Sequence, residues 1–381
     1  MKQPKVCLVH DYLVQYGGAE KTLEAFLEIF PQADIFTSTY KAVAMSSIIN
    51  KSKVVTIGNT TNKLKTKIPI LSKYLTFLNP IGFENFDLSN YDIVVSDSSS
   101  YAKGVITKPE QLHISYIHTP PRFLYKYSVE STKRDNWYYK PIVKYIDHYL
   151  RIWDFLAAQR ADYIVCNSYE VKKRIAKFYK RDATVIYPPV EVEKAAKKHE
   201  FDNLEEPFYL TVGRLSAYKN VDMLVEAFNL LGIRLKVVGT GSEEKRLKKM
   251  AKPNVAILGK VSEKEKHRLL AQCKGFLFPV VEEDFGIGVI EAMAHGKPIL
   301  AHKSGGPLET IRDGIDGMFF DSIKIEHFMN QVKKFDENIR QNKYDSEKIK
   351  AHAMHFNKNR FKQEFEEFVK EKWEGKNSPE K

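Results

Sequence analysis

The stretch PVVEEDFGIGVIEAMAHGKP (279–298) sets three acids, Glu282, Glu283 and Asp284, between an apolar strand-like run, GFLFP (275–279), and an apolar helix-like one. A further strand-like run, KPILA (297–301), follows at once. Strand, turn, helix and strand in that order read as one unit of a parallel sheet with crossover helices. The same alternation extends in both directions. Short β-branched runs stand at KVCLVH (5–10), DIFTSTY (34–40), KVVTIG (53–58), DIVVSD (92–97), HISYIH (113–118), DYIVCNS (162–168) and ATVIYP (183–188). Others stand at FYLTVG (208–213), RLKVVG (234–239) and VAILG (255–259). Between them lie helical patterns: Leu23, Phe26, Leu27 and Phe30 are spaced i, i+3, i+4, i+7, and Val221, Leu224, Val225 and Phe228 repeat that spacing.

The series breaks at PPVEVEKAAKKHEFDNLEEP (188–207), which is charged, poor in apolar residues and bounded by prolines, as an interdomain connection is. A chain of 381 residues suits two domains. The fold class expected is α/β, with two Rossmann-like doubly wound domains, 1–188 and 207–357, facing across a cleft and joined by a linker over 189–206. The last helical pattern falls in 358–381 and suits packing on either half. A hydrophobic content of 43% is that of a globular protein with formed cores. No apolar run reaches membrane-spanning length, and MKQPKVCLVHDYL lacks the layout of a signal peptide. Cys7, Cys166 and Cys273 each lie in or beside an apolar run without metal-ligand spacing, which reads as buried thiols in a reducing cytoplasm.

The net charge of +12 asks for an anionic partner: a nucleic acid, a phosphorylated small molecule or the inner membrane surface. Nucleic acid is the weakest of these, because the lysines are spread along the chain and no zinc-finger spacing, RNP-type signature or basic region with heptads occurs.

Ligands of open α/β sheets bind outside the carboxyl ends of the strands, so the polar residues that end the runs are the candidates. Phe285, Gly286 and Ile287 would begin a helix whose first N–H groups favour an anion such as a diphosphate. Glu283 precedes that start, and Glu291 lies eight residues on, ~12 Å away if the whole interval is helical. Two carboxylates at that separation suit the hydroxyls of the two sugar rings of a nucleotide sugar. For Asp284 and Glu282, stabilising the helix dipole is the stronger reading.

Arg214 and Lys219 in TVGRLSAYKN (211–220) end a strand. They are either surface cations or the fixed charges that a departing diphosphate requires, and the Gly turn beside them favours the second. Gly17 and Gly18 in QYGGAEK (15–21) would let backbone amides approach a phosphate or sugar, a weak signal by itself. His118 in SYIHTPPRFLY (115–125) ends a strand and is balanced between packing and contact with a sugar. In SGGPLETI (304–311) the Gly pair is placed to pass close to the nucleotide, whereas Glu309 reads as a cap or packing residue. No P-loop, complete G-x-G-x-x-G or D-x-D occurs, and VVGTGSEE (237–244) lacks the third glycine. Phosphate charge must then be met without a metal ion, by Arg214, Lys219 and helix N-termini.

Together GRLSAYKNVDMLVEAF, GTGSEEKRL, PVVEEDFGIGVIEAMAHGKPILAHKSGGPLETI, HDYLVQYGGAEK and YIHTPPRFLY resemble the retaining glycosyltransferases of family 4, of the GT-B fold, over nearly the whole chain. Within that family the chain is most similar to bacterial mannosyltransferases of O-antigen and exopolysaccharide assembly. The resemblance implies that Glu283 and the amides of Phe285, Gly286 and Ile287 hold the donor hexose and that Glu291 holds the ribose. It implies that Arg214 and Lys219 take the diphosphate, that His118 lies by the hexose, and that Gly17–Gly18 border the phosphate and acceptor. It implies a final helix crossing back to the first domain, a nucleotide-sugar donor such as GDP-mannose or a UDP-sugar, no metal cofactor, and as acceptor a saccharide or a lipid-diphosphate-linked saccharide. A non-catalytic nucleotide-sugar-binding protein is the reading from another class. The mixed basic and apolar segment 61–88 and the basic helical face of 170–181 suit either a solvated surface or peripheral contact with an anionic membrane on its cytoplasmic side.

Overall fold

The computed structural model describes residues 4–57, 78–127, 140–193 and 206–378, with side chains from 143 onward in the third stretch. The described residues form two compact units, one of 4–189 with 359–378 and one of 190–358. The segment 61–88 lies outside the described residues up to 77; its remainder holds a short helix, Asn79–Glu84, with Phe83 buried.

In the first unit β1 (Val6–His10), β2 (Asp34–Thr37), β3 (Val54–Thr56), β4 (Ile93–Ser98), β5 (Leu112–Ile117), β6 (Tyr163–Cys166) and β7 (Thr184–Val185) form a parallel sheet in the order β3-β2-β1-β4-β5-β6-β7. In the second, β8 (Tyr209–Val212), β9 (Leu235–Val238), β10 (Val255–Gly259), β11 (Gly275–Phe278), β12 (Ile299–His302) and β13 (Gly317–Phe320) form another in the order β10-β9-β8-β11-β12-β13. The flanking helices include α1 (Gly18–Ile29), α2 (Lys140–Arg160), α3 (Tyr169–Tyr179), α4 (Val221–Leu231), α5 (Glu263–Gln272), α6 (Ile287–Ala294) and α7 (Lys358–Asn377).

Strand β1 reads VCLVH without polar alternation, and all its residues are buried, as a strand covered on both faces requires. Its side chains part by a period of two: Val6 and Leu8 join one core, Cys7 and Val9 the other. The first core is closed by α1 through Leu23, Phe26 and Leu27; Phe30, expected on the same face, falls at the C-cap and is half-buried. Helix α7 returns to this core with Phe361, Phe365 and Val369, and the ring of Phe365 lies 4.5 Å from that of Phe26. In the second unit Val221, Leu224, Val225 and Phe228 of α4 are all buried, as their spacing predicts. Strand β13 was not expected: GMFF is short and opens on a glycine, and it becomes a strand by pairing with β12.

The three cysteines are free and buried, and burial raises the Cys7 thiol and pushes that of Cys273 up to about 12. Among the described residues no helix is long and apolar enough to cross a membrane. Each sheet reverses its winding once, between β1 and β4 and between β8 and β11. Those switch points are where an open α/β sheet leaves a crevice.

Candidate functional site: one cluster at each switch point

At the second sheet's switch point, residues from the ends of β8 and β11 line a cavity of ≈ 30 Å³: Gly213, Arg214, Leu215 and Lys219 from one side, Pro279 and Val280 from the other. Arg214 is exposed at its rim. The chain turns through Ala217–Lys219 and enters α4 at Asn220, whose φ of +51° and side-chain donation to Pro279 O hold the turn against the end of β11. This aims Lys219 Nζ at Glu283 Oε2, 2.5 Å away, both side chains largely buried. Burial would lower the Lys219 ammonium, but the Glu283 charge outweighs it and raises it above its ordinary value.

The interval from Glu283 to Glu291 is not wholly helical. Glu282 (φ +58°) and Gly286 (φ +94°) are both left-handed, so α6 begins only at Ile287 and Glu291 lies one turn inside it. The helical rise of ~12 Å for the whole interval therefore does not apply. Phe285 is buried against Phe356, leaving its backbone, with Gly286 and Ile287, at the helix start. Glu291 pairs with Lys266 Nζ of α5 at 3.0 Å, and Lys266 also reaches Glu263 at 2.9 Å. The Gly305–Gly306 pair serves this loop: a Cβ on Gly305 would lie 2.3 Å from Glu283 O, one on Gly306 2.4 Å from Phe285 Cα. Gly306 N–H donates to Glu283 O at 2.9 Å, and Glu309 follows half-buried in a short helix. Likewise a Cβ on Gly239 would lie 1.8 Å from Gly213 O, so the glycines of VVGTGSEE let two strand-end loops touch.

At the first sheet's switch point, His118 follows β5 and its Nε2 lies 2.5 Å from Asp97 Oδ1 at the end of β4. The other oxygen, Oδ2, meets His10 Nδ1 of β1 at 2.9 Å, and His10 Nε2 lies 3.8 Å from Glu20 of α1. Glu20 in turn accepts the Gly17 N–H at 2.7 Å, so that amide is directed inward, and Gly18 is the first residue of α1. Burial would lower His10, but its contacts with Asp97 and Glu20 raise it to about 10. His118 is raised in the same way by Asp97, and against its own burial Asp97 is held below the usual carboxylate range by His118 and His10. Next to His10, Asp11 accepts four backbone N–H bonds at 2.7 Å from Ser99, Ser100, Tyr101 and Ala102, which fixes the loop after β4.

The expected residues thus fall into two groups: Arg214, Lys219, Glu283, Phe285, Gly286, Ile287 and Glu291 in the second unit, and His118, Gly17 and Gly18 in the first. Sequence reading missed His10, Asp97, Glu20, Asp11 and Lys266. Two carried a signal: His10 and Asp97 end apolar runs as His118 does. Among the described residues no group of three or more His, Cys, Asp or Glu side chains is arranged to hold a metal ion.

Residues 192–351 match the family of glycosyl transferases, group 1. An uncharacterized glycosyltransferase of Methanocaldococcus jannaschii is 24% identical over 322 residues, 82% of this chain and 83% of its own. The human alpha-1,3/1,6-mannosyltransferase is 27% identical over 283 residues, 64% of each chain. The crystal structure of Anabaena HepE in complex with UDP superposes with a TM-score of 0.69 at 16% identity, over 96% of this chain and 100% of that one. The fold of two parallel sheets is thus that of GT-B enzymes, and the chain is a glycosyltransferase whose residues 192–351 carry the group 1 domain.

Proposed function

We propose that the protein is a retaining, metal-independent hexosyltransferase that moves mannose from GDP-mannose to a lipid-linked saccharide in cell-surface polysaccharide synthesis. The observation that carries this reading is the Lys219–Glu283 pair at the second switch point, with Arg214 on the rim of the same cavity. A carboxylate there accepts hydrogen bonds from the hydroxyls of the donor hexose, joined by the amides of Phe285, Gly286 and Ile287. Arg214 and Lys219 take up the diphosphate charge, and Glu291 receives the ribose hydroxyls. In the first unit His118 contacts the hexose near its reacting carbon, and the side-chain-free turn at Gly17–Gly18 leaves room for phosphate and acceptor.

In the transfer step the bond from C1 to the phosphate oxygen breaks and the acceptor oxygen bonds C1 on the same face. The acceptor's proton passes to the leaving diphosphate, so configuration is kept without a protein nucleophile. Cations aimed at the departing oxygens stabilise charge that develops only in the transition state, which is the condition for accelerating the step. Mannose is supported by the resemblance of the motifs to mannosyltransferases and by the human relative's activity. The UDP bound to Anabaena HepE favours a second reading, the same chemistry with a UDP-sugar.

The test is transfer from GDP-mannose and from UDP-glucose in the presence of EDTA, with the product's anomeric configuration read by NMR. We expect an α-mannosyl product at an undiminished rate in chelator. Transfer from the UDP-sugar alone would establish the second reading, and transfer only after adding magnesium or manganese would overturn the metal-free step.

A further inference from the structure

Helix α2 is apolar on two faces. Leu150, Trp153 and Ala157 enter the core of the first unit. On the opposite side the exposed positions from 143 onward are Lys144, Tyr145, His148, Tyr149, Ile152, Phe155, Leu156 and Gln159. Five of these eight are large and apolar, and none is a carboxylate. Tyr145, Tyr149, Ile152 and Leu156 are spaced i, i+4, i+7, i+11, a stripe along one side that spans ~17 Å. Tyr145 is 79% exposed, Leu156 53% and Ile152 50%. A surface helix ordinarily turns charged residues outward, so a face of this composition is matched to something other than water.

We infer that this face of α2, with the basic end of α3, is a docking surface for an anionic lipid bilayer. Charge complementarity selects the occupant. Residues 140–181 hold ten Lys and Arg against four Asp and Glu, so a small part of the chain carries half of its net charge of +12. Of those acids Asp154 is buried, Asp147 half-buried, Glu170 is paired with Arg174, and Asp162 faces Lys376. Cations meanwhile stand at the stripe's own end: Gln159 donates to Tyr179 O, and Arg181 donates to Ala158 O and Gln159 O. These bonds set Lys180 and Arg181 against the last turn of α2, while Lys173 and Lys177 are exposed along α3. Aromatic and aliphatic side chains bordered by cations suit the headgroup region of an anionic leaflet, where tyrosine rings also settle. A second copy of the chain fits less well, because a two-fold interface would set this face against itself, and its exposed α2 positions offer no carboxylate to meet the cations of the other copy. The helix would lie on the bilayer, not across it. The inference does not depend on the donor or on the sugar transferred.

Co-sedimentation of the full chain tests it, with vesicles of phosphatidylcholine alone and of phosphatidylcholine mixed with an equal part of phosphatidylglycerol, at physiological salt. We expect binding to the mixed vesicles only. Joint replacement Tyr149→Ser, Ile152→Ser and Leu156→Ser should weaken it about tenfold or more, and Lys177→Gln and Lys180→Gln about fivefold each. Transfer to a water-soluble saccharide should be unchanged in all three variants, which also shows that they fold. No sedimentation with the mixed vesicles, equal sedimentation with both kinds, or wild-type binding by the triple variant would overturn the proposal. A dimer in analytical ultracentrifugation that the triple variant abolishes, without vesicle binding, would assign the face to a second copy instead.

Discussion

Lys219 Nζ stands 2.5 Å from Glu283 Oε2, so an ion pair joins the loop after β8 to the loop after β11 where the second sheet reverses its winding. Removing one partner leaves the other charge largely out of water and unpaired, which is costlier than removing both. Glu283→Gln should lower the stability of the second unit by about 1–3 kcal/mol. It should reduce transfer about a hundredfold or more, the scale of a lost transition-state contact. Lys219→Met should cost similar stability, and the double variant should regain part of it while remaining inactive. Urea denaturation beside the transfer assay reads both effects; single and double variants that simply add in stability would mean the pair is not coupled.

The Glu291–Lys266 pair makes a finer prediction. Lys266 is buried between Glu291 and Glu263, and these two carboxylates raise it against the pull of burial. If Glu291 receives the ribose, Glu291→Gln should raise the donor KM about tenfold (~1.4 kcal/mol) and leave kcat nearly intact, as loss of uniform binding does. A 2′,3′-dideoxyribose donor analogue should lose that sensitivity. Equal sensitivity for both donors would move Glu291 from recognition to packing.

The alternation of strands and helices was readable because buried parallel strands and amphipathic helices impose it locally: VCLVH and the Val221–Phe228 spacing declare themselves. Strand β13 was not, since four residues beginning with glycine gain their identity only from the neighbour they pair with. Helix α6 starts later than Phe285 because Gly286 turns left-handed, a freedom that Gly288 shares by residue type without using it, while Glu282 takes a left-handed backbone that its residue type does not announce. Asp97 escaped for a third reason: its meaning lies in His10 and His118, which are distant in sequence and reach it only across β1, β4 and β5.

The Gly305–Gly306 pair supports the loop that carries Glu283. A methyl group at position 306 would meet backbone atoms of Asp284 and Phe285 at 2.4–2.7 Å, and backbone cannot swing aside as a side-chain tip can. Gly306→Ala should therefore cost about 1–3 kcal/mol by overpacking and impair transfer although residue 306 itself offers no side chain to any substrate. Thermal denaturation and activity should fall together; an unaltered melting temperature with full activity would refute the close approach.

Helix α7 closes the core of the first unit although its sequence follows the second. Phe365 is fully buried, with its ring 4.5 Å from that of Phe26 and 6.3 Å from that of Tyr116. Phe365→Ala should destabilise that unit by about 3–5 kcal/mol, the cost of lost burial plus the cavity left behind. Urea denaturation read through hydrogen exchange should show amides of β1 and β5 losing protection before those of β8 and β11. Equal loss in both sheets would contradict a contribution confined to one core.

Asp97 binds two imidazoles at once, which gives the first unit a pH dependence of definite sign. His10 is raised to about 10 in the folded chain, against ~6.5 unfolded. Its contribution is complete below the unfolded value and is lost as pH climbs towards the folded one, by at most ~1.4 kcal/mol per pH unit. Asp97 behaves oppositely: depressed in the folded chain, it contributes above the unfolded carboxylate value of ~3.9 and is lost as pH falls through its own lower one. Stability should thus decline from about neutral pH towards pH ~10 and again in acid. Asp97→Asn should lower stability near neutrality and flatten the alkaline decline, because His10 loses the carboxylate that holds its proton and keeps only the more distant Glu20. Urea denaturation at a series of pH values measures the slope, and imidazole proton shifts in NMR follow His10 and His118 individually. An alkaline slope as steep in Asp97→Asn as in the parent would show that the carboxylate does not hold those protons.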